Sequence, residues 1–205
     1  GLGSGPARAL VAQEEIYRRI GYQEEFEFAV LALETQQLPD EAVAAAVASR
    51  ADVPESGVFL PAFSTASLTG SVLAAARAAE LAVFRLFELG YDPLDVLSVS
   101  GTAPVAPVAN DESTAMARTN DALTYGSQVH LVVDELSDEF EHIVSTATEE
   151  YDQPFVDIFE SADWEYADLP VELFAPAQVT VDVRGGDTHV YGRRNEQVLE
   201  ESFGL

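Results

Sequence analysis

The 205-residue chain has no lysine and no cysteine. Its ten basic residues are all arginine and stand against 36 acidic ones, for a formal net charge of −26. Without cysteine, disulfides, thiolate catalysis and thiolate metal sites are excluded. So little positive charge argues against nucleic acid as a partner, because a phosphate backbone needs a basic footprint. It argues equally against an anionic membrane surface. No apolar run reaches the ~18 residues of a membrane span, and no signal peptide is visible. The expected location is therefore the cytoplasm. The chain opens Gly1-Leu2-Gly3-Ser4-Gly5-Pro6 rather than with Met, as expected of a fragment, a processed product or a tagged chain.

What is present is enough for a core. Apolar residues make up 47% of the chain, and Val, Leu, Phe and Tyr are spread along it, which opposes disorder. The length fits one large domain or two small ones. A charge of −26 repels itself in dilute salt. Molar salt shortens the Debye length to roughly 3 Å and makes that repulsion tolerable. Complete loss of Lys with Arg kept is the composition expected of a salt-in halophile, whose acidic surface is an adaptation to solvent. An acidic face built for a cationic partner is the alternative.

The pattern along the chain predicts an α/β fold. Pro6 is placed as the first residue of a helix over 7–20 closed by Gly21. Residues 26–34 and 57–63 read as strands around an Ala- and Val-rich helix over 40–51, started by Pro39 and Asp40. A long helix over 67–89, stopped by Gly90 and Pro93, leads to a third strand over 95–100. This alternation predicts crossovers and partly parallel pairing. The stretch 101–110, with Pro104 and Pro107, cannot be a long helix or a central strand. It is expected to be a domain junction or a pocket-lining loop, which divides the chain into portions 1–110 and 111–205 whose elements can interleave. Beyond it the pattern predicts a short helix to about Leu123, a strand over 128–133 and a helix over 137–146 capped by Ser137. It then predicts a helix over 153–161, a hairpin of 177–184 and 188–192 around Gly185-Gly186-Asp187, and a last helix over 195–202.

Most polar motifs have an ordinary reading. The Gly-rich opening before a helix has the free amides and dipole of an anion site. It lacks a visible preceding strand and the Lys of a P-loop, so a flexible entry loop explains it equally well. His130, His142 and His189 have no second His or carboxylate at ligand spacing, and no metal site is expected. Asp111-Glu112 and the run from Asp134 to Glu141 lack the spacing of a calcium loop and read as solvated acidic surface.

The helix over 67–89 is the exception. From Ser71 to Phe87 it carries only three ionisable residues: Arg77, Glu80 and Arg85. Val72, Ala76, Ala79, Val83 and Leu86 form one stripe, and Leu73, Arg77, Glu80, Phe84 and Phe87 form its neighbour. The pattern predicts a largely buried helix with one charged spot in it. Two readings stay open: an internal ion pair that sets register, or a charged pair on a pocket wall. Arg before Glu is the poorer order within a helix, and a buried pair often does no better than apolar packing. Ser64-Thr65-Ala66-Ser67 and Gly70-Ser71 at the entry are small enough to let a ligand or a backbone come close.

Several segments resemble the methenyltetrahydromethanopterin cyclohydrolases of archaea and methylotrophs. They are Gly3-Ser4-Gly5-Pro6-Ala7-Arg8-Ala9, Thr65-Ala66-Ser67-Leu68-Thr69-Gly70-Ser71-Val72 and the Arg77…Glu80 pair. Ala103-Pro104-Val105-Ala106-Pro107, Thr119-Asn120-Asp121-Ala122 with Tyr125-Gly126, Leu173-Phe174-Ala175-Pro176-Ala177 and Ser202-Phe203-Gly204-Leu205 continue the match in order. The resemblance implies a two-domain α/β architecture with a substrate pocket between the domains, and a homotrimer. It implies hydrolysis of the methenyl bridge of a tetrahydropterin C1 carrier to the formyl form, with no metal and no cofactor beyond the pterin substrate. The Arg and Glu of the family's Arg-x-x-Glu segment fall on Arg77 and Glu80 as catalytic residues. Ser4, Gly5, Thr65, Ser67, Ser71, Asn120 and Asp121 are the matching candidates for substrate binding. The family's N-terminal third has no counterpart in this sequence. Two alternatives follow: a ligand-binding or assembly module of the same fold without turnover, and a different α/β enzyme acting on an anion held at the Gly-rich helix start.

Overall fold

The computed structural model describes residues 2–149, 151–162, 164 and 169–205. The chain divides into two compact units, Gly1–Thr65 and Ala66–Leu205. Residues 101–110, where the sequence placed a junction, lie inside the second unit. Among the described residues no helix is long and apolar enough to cross a membrane.

In the first unit β1 (Leu2–Ser4) leads into α1 (Ala7–Val11) and α2 (Glu15–Ile20). The single helix expected over 7–20 is thus two, because Ala12 turns left-handed (φ 49°) and caps α1. Gly21 closes α2 in the same conformation, as expected. The strand expected over 26–34 is reduced to β2 (Ala29–Val30) and β3 (Ala32–Glu34), and that over 57–63 to β4 (Val58–Phe59) and β5 (Ala62–Phe63). β2 pairs with β4 and β3 with β5, both parallel, while β1 adds to β3 antiparallel. The crossover between the parallel partners contains α3 (Glu41–Ala51), whose first turn is capped by the Asp40 carboxylate accepting from Val43 N–H at 3.0 Å. Ala7, Leu10, Ala29 and Ala51 form a small core, with Val11, Leu31, Val47 and Val53 packed on it.

The second unit holds α4 (Leu68–Ala75), α5 (Ala78–Glu88), β6 (Val96–Thr102), α6 (Glu112–Gly126) and β7 (Gln128–Val133). α7 (Phe155–Ser161), β8 (Gln178–Val183), β9 (Thr188–Gly192) and α8 (Glu196–Phe203) follow. The sheet runs β6-β7-β8-β9. β7 and β8 are parallel, and each outer pair is antiparallel. β6 therefore does not extend the parallel pairing expected from the alternation; it pairs antiparallel with β7 across the α6 connection. Val129, Leu131 and Val133 on β7 meet Val179 and Val181 on β8 in one core with Ala78, Leu81, Ala82 and Leu86 of α5. A second core joins α6, α7 and α8 through Tyr125, Phe155, Phe159 and Leu199. The helix expected over 137–146 is two short 3₁₀ turns, 138–142 and 145–147.

Candidate active site

The long helix expected over 67–89 is interrupted at Ala76 and Arg77. Arg77 N–H bonds back to the Ala74 carbonyl at 3.0 Å, a three-residue step that tightens the last turn of α4 before α5 begins. Neither Pro nor Gly stands at the break. The contact that fits it comes from β6: a Cβ on Gly101 would lie 2.8 Å from Ala79 N and 3.2 Å from the Ala78 methyl. Only a glycine lets the start of α5 press this closely on the strand.

The break also changes how the charged pair is read. Arg77 is the residue before α5 and Glu80 lies in its first turn. At a helix start a carboxylate is the favoured charge, so Glu80 offsets the dipole that Arg77 opposes. Arg77 Nε lies 3.5 Å from Glu80 Oε2, with the side chains 58% and 51% exposed. Within this chain it is therefore not an internal ion pair, which corrects the expectation of burial. Leu73 and Phe84, its neighbours on the stripe, are exposed as well. The buried face of α4 and α5 instead carries Ser71, Ala75, Ala78, Leu81, Ala82, Arg85 and Leu86. The buried charge is Arg85, which faces Glu88 at 3.5 Å and Glu172 at 3.9 Å. Its spacing from Ala78 and Leu81 was the available signal, since residues three and four apart share a helix face.

The small polar residues have distinct settings. Ser67 caps α4, its hydroxyl accepting from Gly70 N–H at 3.0 Å, and Ser71 is buried one turn on. Glu112 at the start of α6 accepts from Ala66 N–H at 3.3 Å, which holds this entry against α6. Asn120 donates to the Met116 carbonyl at 2.9 Å. Asp121 is 1% exposed. One of its oxygens accepts from Phe155 N–H at 2.9 Å and the other from the Ser202 hydroxyl at 2.5 Å, tying α6 to α7 and α8. Burial pushes its pKa up to about 6, against the pull of those two hydrogen bonds. Both its oxygens are thus taken by internal partners.

In the first unit the Gly-rich opening itself contains a strand, β1, which the sequence did not reveal. Gly5 adopts φ +145°, and a Cβ there would meet the Val30 carbonyl at 2.9 Å. The Ser4 hydroxyl accepts from Arg8 Nη1 at 3.0 Å, and buried Thr65 donates to the Glu34 carboxylate. Ser4, Gly5 and Thr65 thus belong to the first unit, and Ser67, Ser71, Arg77, Glu80, Asn120 and Asp121 to the second. The first unit also contains a cavity of about 290 Å³ edged by Arg8, Glu14 and Arg50. Neither the cavity nor Arg50 carried any sequence signal.

A sequence model of the family described as Cyclohydrolase (MCH) matches residues 1–203. A methenyltetrahydromethanopterin cyclohydrolase of Halobacterium salinarum is 58% identical over 204 residues, covering 100% of this chain and 66% of the relative. Proteins of the same name from Methanocella arvoryzae and Methanothermobacter thermautotrophicus are 40% and 39% identical over 208 and 212 residues. Each match covers 100% of this chain, and 65% and 66% of those relatives. The chain thus spans about two thirds of the length of the curated relatives it matches. The halophilic reading of the composition and the archaeal one implied by the resemblance fit matches in Halobacterium and in methanogens. Matched from Gly1 to Phe203, with the Arg-x-x-Glu segment present at the start of α5, the chain belongs to the cyclohydrolase (MCH) family.

Proposed function

We propose that this chain carries the reacting pair of an enzyme that hydrolyses the methenyl bridge of methenyltetrahydromethanopterin, or of a related tetrahydropterin, to the formyl form. The observation that carries the reading is the Arg77–Glu80 pair, 3.5 Å apart and half exposed between exposed Leu73 and Phe84. A charged pair with apolar neighbours suits a flat, cationic, largely apolar substrate. The finer architecture belongs to the same proposal: two domains with a substrate pocket between them, assembled as a homotrimer in the cytoplasm.

The chemistry assigns the roles. The methenyl bridge joins two nitrogens as an amidinium-like cation with an electrophilic carbon. Glu80 attracts the cation, orients a water and accepts one of its protons as the oxygen–carbon bond forms. The tetrahedral adduct then loses its hydroxyl proton as one carbon–nitrogen bond breaks, and the departing nitrogen takes a proton. The product is the formyl form and one proton is released overall. Arg77, 3.5 Å from Glu80, holds the carboxylate in place and donates to the oxygen of the adduct. The steps need no metal and no redox cofactor. Ser4, Gly5, Thr65, Ser67, Ser71 and Asn120 are proposed to line the substrate site, while Asp121 acts through the placement of α6.

Glu80→Gln tests the assignment. It keeps the shape and removes the base, so turnover falls by about 10²–10⁴, while pterin affinity changes far less. Near-normal turnover per folded molecule, assayed in the full-length enzyme if the 205-residue chain is inactive, overturns it. Turnover assays also separate this reading from a pterin-binding module without catalysis.

A further inference from the structure

We infer that the cavity of the first unit is a binding site for a small amphiphilic anion, one flat apolar body carrying a single phosphate or carboxylate, with Arg50 as its anion-binding residue. Through Gly3 and Arg8 the cavity borders Ser4 and Gly5, and the inference does not rest on the Arg77–Glu80 pair. Its volume, about 290 Å³, is at the lower end of the range for small-molecule sites. Its floor is apolar: Val11, Leu31 and Val47 are half-buried, Ala7 and Ala51 are buried, and all five belong to the core of the unit or pack on it. The hollow therefore opens onto the core, where an apolar body gains contact.

The rim supplies the sign. Glu14 is spoken for: Arg8 grips it with both arms of its fork, Nε to Oε1 at 2.8 Å and Nη2 to Oε2 at 2.5 Å. That grip holds the Glu14 carboxyl below its ordinary pKa, so it stays charged and neutralised. Arg50 is different. It stands exposed in the last turn of α3, where the helix dipole favours a cation. Yet among the described residues it is the arginine with no ion pair, hydrogen bond or ring contact. The others all have one: with a carboxylate for Arg8, Arg77, Arg85, Arg184 and Arg194, with a carbonyl for Arg18 and Arg118, with a ring for Arg193, and with a further partner for Arg19. In a chain of 36 acidic residues and ten arginines, an unpaired guanidinium is the exception. Here it stands at the mouth of an apolar hollow, and the rim of Arg8, Glu14 and Arg50 is net positive on a protein of net charge −26. A planar fork of this kind matches phosphate or carboxylate.

The experiment titrates the whole chain with 2-naphthyl phosphate, by calorimetry and amide chemical shifts, at the lowest salt that keeps it folded. Expected is saturable binding that shifts the amides of Val47 and Ala51. 2-Naphthol, which lacks the charge, and inorganic phosphate, which lacks the apolar body, bind at least about tenfold more weakly. Arg50→Gln, an exposed and fold-safe change, lowers affinity for the phosphate ester about tenfold, to the level of 2-naphthol. Val47→Phe, which fills the hollow, weakens both naphthyl compounds, and Glu80→Gln leaves all affinities unchanged. The proposal is overturned by no binding at millimolar ester, by equal affinity for the ester and inorganic phosphate, or by an Arg50→Gln variant that binds the ester like the parent. Loss of turnover in Glu80→Gln has no bearing on any of these outcomes.

Discussion

The two units are built from the same alphabet to different depths. The first, Gly1–Thr65, clusters its buried core on Ala7, Leu10, Ala29 and Ala51, and its strands are two or three residues long. The second encloses Leu131, Phe140 and Ile143 in the core of a four-stranded sheet whose central pair is six residues long, and Tyr125, Phe155 and Phe159 in the core of α6, α7 and α8. Charge divides the same way. The first unit has ten acidic residues and four arginines, net −6; the second has 26 and six, net −20. The unit with the heavier core is the one that also bears most of the repulsion. Apolar burial of aromatic and branched side chains offsets it there, while the first unit, with alanines in its core, has less to lose and less to hold it.

That contrast can be broken by salt first, because salt acts on every carboxylate at once. Stability should rise as chloride salt goes from ~0.1 M to above ~1 M, as screening weakens the repulsion. The gain should be larger in the second unit, read by amide exchange resolved by residue. A melting temperature that is flat or falling over that range removes the halophilic reading of the composition.

Core truncation gives the next largest effect. Phe159→Ala, at a fully buried ring, should cost about 3–5 kcal/mol in denaturant unfolding. Leu10→Ala in the first unit, at 8% exposure, should fall near the low end of the Leu→Ala range, about 2 kcal/mol. Equal costs would mean that the two units share one cooperative core.

A smaller effect belongs to Asp121. Its pKa in the fold, about 6, lies above the ordinary 3.8. The folded state thus binds more protons than the unfolded one between these values, and stability falls as pH rises from about 4 to 6. The difference is at most roughly 3 kcal/mol, since each pKa unit is 1.36. Asp121→Asn keeps an acceptor for Phe155 N–H, and the Ser202 hydroxyl can turn to accept from its amide. That variant should flatten the slope between pH 4 and 6, and an unchanged slope assigns it to other groups.

The smallest effect is the stability cost of opening the Arg77–Glu80 pair. At more than half exposure it is worth about 0–1 kcal/mol, so Arg77→Ala should scarcely move the melting temperature while activity drops. A loss of several kcal/mol would show that the pair is covered in solution.

Much of the fold was legible because its signals are local. Asp40 and Ser137 do cap the turns that follow them, since a capping oxygen reaches only the next few amides. β7 covers the expected 128–133, and β8 and β9 form the expected hairpin, because an alternation of period two is written within each strand. The Arg-x-x-Glu segment was legible as a pattern. Its setting was not: periodicity marked the stripe of Leu73, Arg77, Glu80 and Phe84 as apolar with a charged spot, and the chain leaves that stripe exposed.

What the sequence determined by itself was therefore the α/β class, the caps, the long strands of the second unit, the family and the excess of negative charge. The family follows from the matching segments spread in order along the chain, and the rest from composition and from spacings of two to four residues. Tertiary structure alone decided that the helix breaks at Arg77 where Gly101 admits α5, and that Arg85 rather than Arg77 is buried. It also decided that β6 runs antiparallel to β7, that Asp121 closes on Phe155 and Ser202, and that Arg50 stands unpaired over a hollow. Each of these depends on which surfaces meet across tens of residues. Burial and pairing at that range are set by the whole packing arrangement, which no local window of sequence contains.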